Sequence, residues 1–331
     1  MTMLARLREG LSYGDLHHLG RAEAIAVYLV DTGDGIGIVD PGPSSCREAL
    51  DAALGAFGAS VRDVRHVFLT HIHLDHAGIA GTLAAENLRL RVYVHERGAA
   101  HLVDPTRLLD SATRIYGAEM EPMWGAFLPV PVDRLEVLSG HERLTIGTRR
   151  WRAGATPGHA IHHLAYLDEH DGVAFTGDVA GEATQHGTPA LPVAPPPDID
   201  LPSWRRSLDL LNEWAPEQLL LTHFGPVNAP RDHVEEMWTR LTEWSEHVKE
   251  SLDSPGSDDA RAESFADEEL ARLTKTLRPE SVPHVHRDAI LSSWYGLARY
   301  WRKQSATPTN PASPPSPPSP PSPASPASPA P

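Results

Sequence analysis

The run Thr70-His71-Ile72-His73-Leu74-Asp75-His76-Ala77-Gly78 places three imidazoles and one carboxylate within six consecutive positions. Imidazole nitrogen and carboxylate oxygen are good ligands for zinc and its divalent neighbours, and ligands crowded into one short loop need little further ordering when an ion arrives. The flanks decide where such a loop must lie. Val67-Phe68-Leu69 reads as a short buried strand and Ala77 to Glu86, rich in alanine, as a helix. The cluster therefore sits where a strand hands over to a helix. At such a turn the alternate side chains His71 and His73 converge on one point while Asp75 and His76 face another, so two ions fit side by side. The chain has 19 histidines in 331 residues, and some must fall close together. An ordered pattern of this kind still arises by chance only roughly once in a hundred such chains, or less.

A two-ion site needs more ligands than one loop supplies. Three further candidates stand at the ends of apolar runs: His159 in Thr156-Pro157-Gly158-His159, Asp178 in Phe175-Thr176-Gly177-Asp178, and His223 in Leu219-Leu220-Leu221-Thr222-His223. Taken in this order, over roughly residues 20 to 230, the chain resembles the metallo-β-lactamase superfamily of metal-dependent hydrolases. The family's H-x-H-x-D-H motif falls on His71, His73, Asp75 and His76, its next histidine on His159, its bridging aspartate on Asp178 and its last histidine on His223. Ile38-Val39-Asp40-Pro41-Gly42 resembles the first family motif, whose aspartate lies behind the metal loops.

The resemblance implies an α/β (α+β) fold, the four-layer αββα sandwich, and a ligand set. One ion takes His71, His73 and His159, the other takes Asp75, His76 and His223, and Asp178 bridges them. A carboxylate suits the bridge because its two oxygens can each hold a cation. A hydroxide held between the ions is the implied nucleophile, since metal binding lowers the pKa of water to about 7. Asp178 and Asp75 are then the catalytic carboxylates, with Asp75 orienting the hydroxide or shuttling a proton. Without a thiolate among the ligands, two zinc ions are the first choice, and iron or manganese also suit the set. His163, just after His159, is expected behind the ligands rather than among them, in a place where glyoxalase-like relatives often carry a histidine.

Because the superfamily spans many chemistries, fold alone does not name the reaction. The expected function is hydrolysis of a small ester, thioester or lactone by a binuclear centre. The alternatives are a mononuclear iron persulfide dioxygenase and a nuclease or phosphodiesterase. With 44 acidic against 29 basic residues the net charge is −15, which repels nucleic acid on average. A small-molecule substrate is therefore expected, with self-association left open. No apolar run reaches the length of a membrane span, and Met1 to Asp15 lacks an apolar leader segment. Together with a single cysteine, Cys46, read as a half-buried packing residue at a helix start, this points to the cytoplasm.

Along the chain, Ala24 to Val30 and Ile36 to Asp40 read as a hairpin, and Cys46 to Phe57 as a helix. Residues 1–250 are expected to form the catalytic domain, with 101–131 a lid insertion whose Tyr116, Met123, Trp124 and Phe127 suit an apolar substrate wall. Asp200 is placed to cap a helix from Leu201 to Trp214, ahead of the strand that delivers His223. Residues 251–305 read as a C-terminal helical extension resembling that of glyoxalase II, though without its Asn-Pro-Phe-Leu-Arg ending or a basic glutathione anchor. The acidic stretch Asp253 to Glu263 reads as a flexible connector. His284 and His286 alternate like ligands but lack a third partner and read as surface residues. Residues 306–331, almost wholly proline, serine and alanine, cannot bury a core and are expected to be disordered.

Overall fold

The structure, a computed structural model, describes residues 4–279, 281–282 and 285–306. The Pro/Ser/Ala tail after Ala306 and His284 lie outside the described residues.

The first half of the chain builds one sheet in sequence order: β1 (Leu4–Arg8), β2 (Leu11–Asp15), β3 (Ala26–Asp31), β4 (Ile36–Val39), β5 (Val64–Phe68), β6 (Arg91–His95) and β7 (Leu135–Leu138). The pairs up to β3–β4 are antiparallel and those from β4 to β7 parallel, with α1 (Arg47–Phe57), α2 (Leu74–Ala77) and α3 (Ala80–Glu86) in the crossovers. Between β6 and β7 the chain adds α4 (Glu96–Val103), α5 (Thr106–Tyr116) and α6 (Met120–Trp124). The second sheet runs β8 (Arg143–Ile146), β9 (Arg149–Ala155), β10 (Leu164–Asp168), β11 (Val173–Gly177), β12 (Gln218–Leu221) and β13 (Gly225–Val227), with β11–β12 its parallel pair. Helix α7 (Leu201–Trp214) makes that crossover, and α8 (Pro230–Ser251), α9 (Asp258–Thr274) and α10 (Arg287–Ala306) follow.

Strand periodicity sorts side chains into layers. In β5, Val67 joins the core under α1 and α3, while its neighbour Phe68 faces the other sheet. Both faces of the central strands are thus covered, in keeping with the apolar runs of β3 and β4, although β5 carries Arg65 and His66. Between the sheets, Phe68 stacks on Trp151 at 4.5 Å and Trp151 on Phe175 at 5.4 Å. The outer face of the second sheet packs against α7 to α10 around Trp204, Trp244, Phe265 and Trp294. Helix, sheet, sheet, helix is the layering expected, with a helical extension on the second outer face. Among the described residues no helix is long and apolar enough to cross a membrane.

Several elements differ from their sequence reading. β1 and β2 extend the sheet where only a polar N-terminus was visible. The helix after the histidine cluster breaks in two, because the Ile79 amide bonds the Gly42 carbonyl at 3.0 Å instead of continuing the helical ladder. Cys46 is buried rather than half-buried, and burial pushes its thiol up to about 11. His286 is half-buried, not a surface residue. The acidic stretch from Asp253 is only briefly a connector: Ser257 caps α9, its hydroxyl accepting from the Ala260 amide at 3.2 Å. Asp258 and Asp259 occupy the first turn, where the helix dipole favours acids.

Candidate metal centre

The seven residues singled out by the sequence all come to the same end of the two sheets. Parallel strands deliver their C-terminal ends there: β4 ends before Asp40, β5 before the histidine loop, β11 before Asp178 and β12 before His223. The β9–β10 loop supplies His159. Each sheet also fastens the other's loops. Tyr166 of the second sheet donates to the Leu69 carbonyl at 2.9 Å, and Tyr28 of the first to the Leu221 carbonyl at 2.5 Å. The backbone repeats the pattern, Leu164 N–H to Thr70 O at 2.7 Å and Ala26 N–H to Thr222 O at 2.8 Å.

Three groups of side chains are each close enough to hold an ion, with all potential ligand atoms within 4.8 Å: His71, His73 and His159; His71, His76 and Asp178; and Asp75, His76 and His223. Asp178 lies between the first and the last. Its Oδ2 is 3.4 Å from His159 Nε2, and its Oδ1 is 3.2 Å from His76 Nε2 and 3.5 Å from His223 Nε2. Asp75 Oδ2 lies 3.3 Å from His223 Nε2.

The outward nitrogens of these rings are occupied, which decides what the inward ones carry. His159 Nδ1 donates to the Val193 carbonyl and His223 Nδ1 to the Ala24 carbonyl, both at 2.7 Å. A carbonyl only accepts, so in the neutral rings both Nε2 atoms are bare lone pairs. Asp40 does the same for His76, taking its Nδ1 proton at 2.8 Å, while the Thr70 and Thr222 hydroxyls donate to the same carboxylate oxygen at 2.8 and 2.7 Å. With its proton given to Asp40, the Thr70 hydroxyl accepts from His71 Nδ1 at 3.1 Å, which bares His71 Nε2. His73 Nδ1 then stands 2.9 Å from His71 Nε2 and 3.0 Å from His159 Nε2, three ring nitrogens with at most one proton to share. Burial, reinforced by His159, pushes His73 down to about 3. On the other side, His76 Nε2 lies 3.2 Å from Asp178 Oδ1, and although burial disfavours charge on that ring, Asp178, Asp75 and Asp40 together hold it well above the usual imidazole range. Burial opposes charge on His223, but Asp178 and Asp75 outweigh it and hold the ring up at about 9. Lone pairs converging on one point and carboxylates on the next are donor sets that fit divalent cations.

Behind these groups His163 receives the Asp178 amide on Nε2 at 3.2 Å, and its Nδ1 meets Thr156 Oγ1 at 2.8 Å. Gly177 makes the close approach workable: a Cβ there would lie 2.5 Å from Thr70 Oγ1 and 2.7 Å from His163 Nε2, at φ +48°. The threonines were not read from the sequence, although each precedes a ligand loop as a polar end to an apolar strand. Nor was Glu182, whose carboxyl burial pushes up to about 7.

A cavity of about 350 Å³ opens over His73, Asp75 and Asp178. Of the four lid residues, Tyr116 and Trp124 line it. Phe127 is buried in the first core, and Met123 offers its carbonyl to His18 and Ser45, both at 2.7 Å. His95 caps α4 instead of reaching the cavity, its Nδ1 accepting from the Arg97 amide at 3.0 Å.

The sequence pattern that defines the metallo-beta-lactamase superfamily matches residues 20–223. A probable metallo-hydrolase of Bacillus subtilis is 26% identical over 250 residues, covering 69% of this chain and 76% of that protein. A thioesterase of Emericella nidulans is 26% identical over 184 residues, 54% of this chain and 44% of the relative. Among solved structures, a metallo-beta-lactamase family protein from Thermus thermophilus superposes with a TM-score of 0.64 at 23% identity, covering 85% of this chain and 89% of its own.

Proposed function

Because this chain belongs to the metallo-beta-lactamase superfamily, we propose that it is a binuclear hydrolase acting on a small ester, thioester or lactone. Its ions, zinc by preference, would be held by His71, His73 and His159 and by Asp75, His76 and His223, with Asp178 shared. The observation that carries this reading is the placement of the two oxygens of Asp178, Oδ2 3.4 Å from His159 Nε2 in one cluster and Oδ1 3.2 Å from His76 Nε2 in the other. When bound, the ions supply an activated water and polarise the substrate carbonyl. The chain's own part is to aim and to insulate. Asp40 and the Val193 and Ala24 carbonyls lock the ring tautomers, and the sheets exclude bulk water from below. Asp75, with its side chain 24% exposed at the cavity floor, would orient the attacking water. In the overall step a water oxygen bonds to the acyl carbon, the carbon–sulfur or carbon–oxygen ester bond breaks, and the leaving thiol or alcohol takes a proton.

The test is metal analysis followed by a panel of esters, thioesters, lactones and phosphodiesters. Two ions per chain with turnover of an acyl substrate are expected, and Asp178→Asn should lose at least about a hundredfold in kcat/KM. Near-normal turnover by metal-loaded Asp178→Asn would overturn the assignment, and one iron per chain with oxygen uptake on a persulfide would replace it with the dioxygenase.

A further inference from the structure

The cavity over the metal centre is chemically uneven. Its floor is His73, Asp75 and Asp178, and its walls are largely apolar, with Ile72, Leu108, Ile115, Tyr116, Ile161 and Val193 among them. Arg97 of α4 and Arg107 of α5 add cationic side chains to the lining, and His101 of α4 adds an imidazole. Neither guanidinium makes a hydrogen bond or an ion pair among the described residues. That sets them apart from Arg47, which holds Asp51 and Glu86, or Arg302, which holds Asp258. Arg97 and Arg107, both exposed residues, thus bring two cationic side chains to the lining of a cavity in a chain of net charge −15. Among the described residues, Asp198, from the connector ahead of α7, is the only acid of that cavity outside the candidate ligand set.

The space, about a dozen waters' worth, suits a short apolar segment between the metal floor and the cationic side.

Resting on the hydrolase reading above, we propose that the substrate is an amphipathic anion: an ester or thioester with an apolar segment beside the scissile carbonyl and a carboxylate or phosphate beyond it. Arg97 and Arg107 are its specificity determinants. The anion can belong to the acyl half or to the leaving group, and guanidinium recognises a carboxylate and a phosphate by the same forked geometry.

Three matched probes separate these cases: octanoyl-pantetheine, which is neutral; octanoyl-phosphopantetheine, with the charge on the thiol side; and suberyl-pantetheine, with it on the acyl side. At least one anionic probe should exceed the neutral one by about tenfold in kcat/KM, mainly through KM, and the advantage should shrink with added salt. Which probe wins identifies the half that bears the anion. In the Arg97→Ala, Arg107→Ala double variant the ratio should fall close to one, while Arg107→Lys should keep part of it. Equal kcat/KM for all three probes, or a ratio that survives the double variant, overturns the proposal. Calorimetric titration of the protein as purified with pantetheine against phosphopantetheine, and octanamide against suberamate, reads the same discrimination without turnover. Anion-selective binding with no hydrolysis would sink the hydrolase reading and keep the anion site. Hydrolysis with no discrimination would do the reverse.

Discussion

A single carboxylate illustrates how much of this site is set from behind. Asp40 adopts φ +47°, a left-handed conformation that a short polar side chain tolerates, and receives the Thr70 amide on one oxygen and three side-chain donors on the other. Asp40→Asn keeps the size but replaces one acceptor oxygen by an NH₂. Either way round, that NH₂ faces a donor, the Thr70 amide or the His76–Thr70–Thr222 group. We expect a loss of about 2–4 kcal/mol in stability, since buried donors are left unpaired. A fall of roughly 10–100-fold in metal affinity should accompany it, since His76 is no longer held in one tautomer. Denaturant unfolding and competition with a chromophoric chelator measure the two effects separately, and an unchanged affinity would show that His76 needs no such partner. Asp40 was legible because it sits in a motif, four of the candidate ligands because they crowd one loop, and His159, Asp178 and His223 because each ends an apolar run in the order of the family pattern. Thr70 and Thr222 were not, because a threonine ending a strand looks like any other until two strands from different sheets bring both hydroxyls onto one oxygen.

Among elements, α10 shows how a remote segment reaches the centre. Gly296 packs so closely on the connector before α7 that an added Cβ would lie 2.0 Å from the Ala194 carbonyl oxygen. Ser293, one turn earlier, accepts from the Ala194 amide at 3.1 Å. The adjacent Val193 carbonyl orients His159. Gly296→Ala must therefore push the helix or the connector, at a cost of about 1–3 kcal/mol. Its thermal midpoint should fall, and the ion nearest His159 should be released by a chelator faster than in the parent protein. A midpoint within error of the parent would mean that the helix and connector move apart freely. This contact is invisible in sequence, since glycine in a helix ordinarily reads as a weakness and its packing reason lies about a hundred residues away. Strands β3 and β4 were readable because both faces are buried and their sequences are mostly apolar, whereas β5 was readable only at its Val67-Phe68 end, after Arg65 and His66. β1, with the sequence LARLR, alternates with arginine at the sheet edge and gives no such signal. The acid-rich start of α9 misled for a related reason: composition alone does not distinguish a solvated linker from a helix's first turn.

For the molecule as a whole, the three C-terminal helices are less an appendage than the outer wall of one core. Met237, Leu241 and Trp244 of α8 share it with Phe265 of α9, Trp294 and Leu297 of α10, and Trp204 and Leu208 of α7. A chain ending at Ser251 would leave that wall bare, and we expect it to aggregate or to bind a hydrophobic dye, losing cooperative melting. A soluble truncation with a sharp transition would show instead that the first 251 residues fold alone. The candidate centre is just as dispersed along the chain, its candidate ligands running from His71 to His223 and the partners of their rings reaching back to Ala24. During synthesis four of the candidate ligands emerge together in one short loop, but the seventh leaves the ribosome about 150 residues later, after most of the second sheet. At some 5–20 residues per second, that leaves many seconds in which a partial, exposed cluster of imidazoles faces whatever metal the cell offers. An ion that loaded early would have to suit the site again once His223 arrived, so late closure would give the nascent chain a chance to exchange its first occupant.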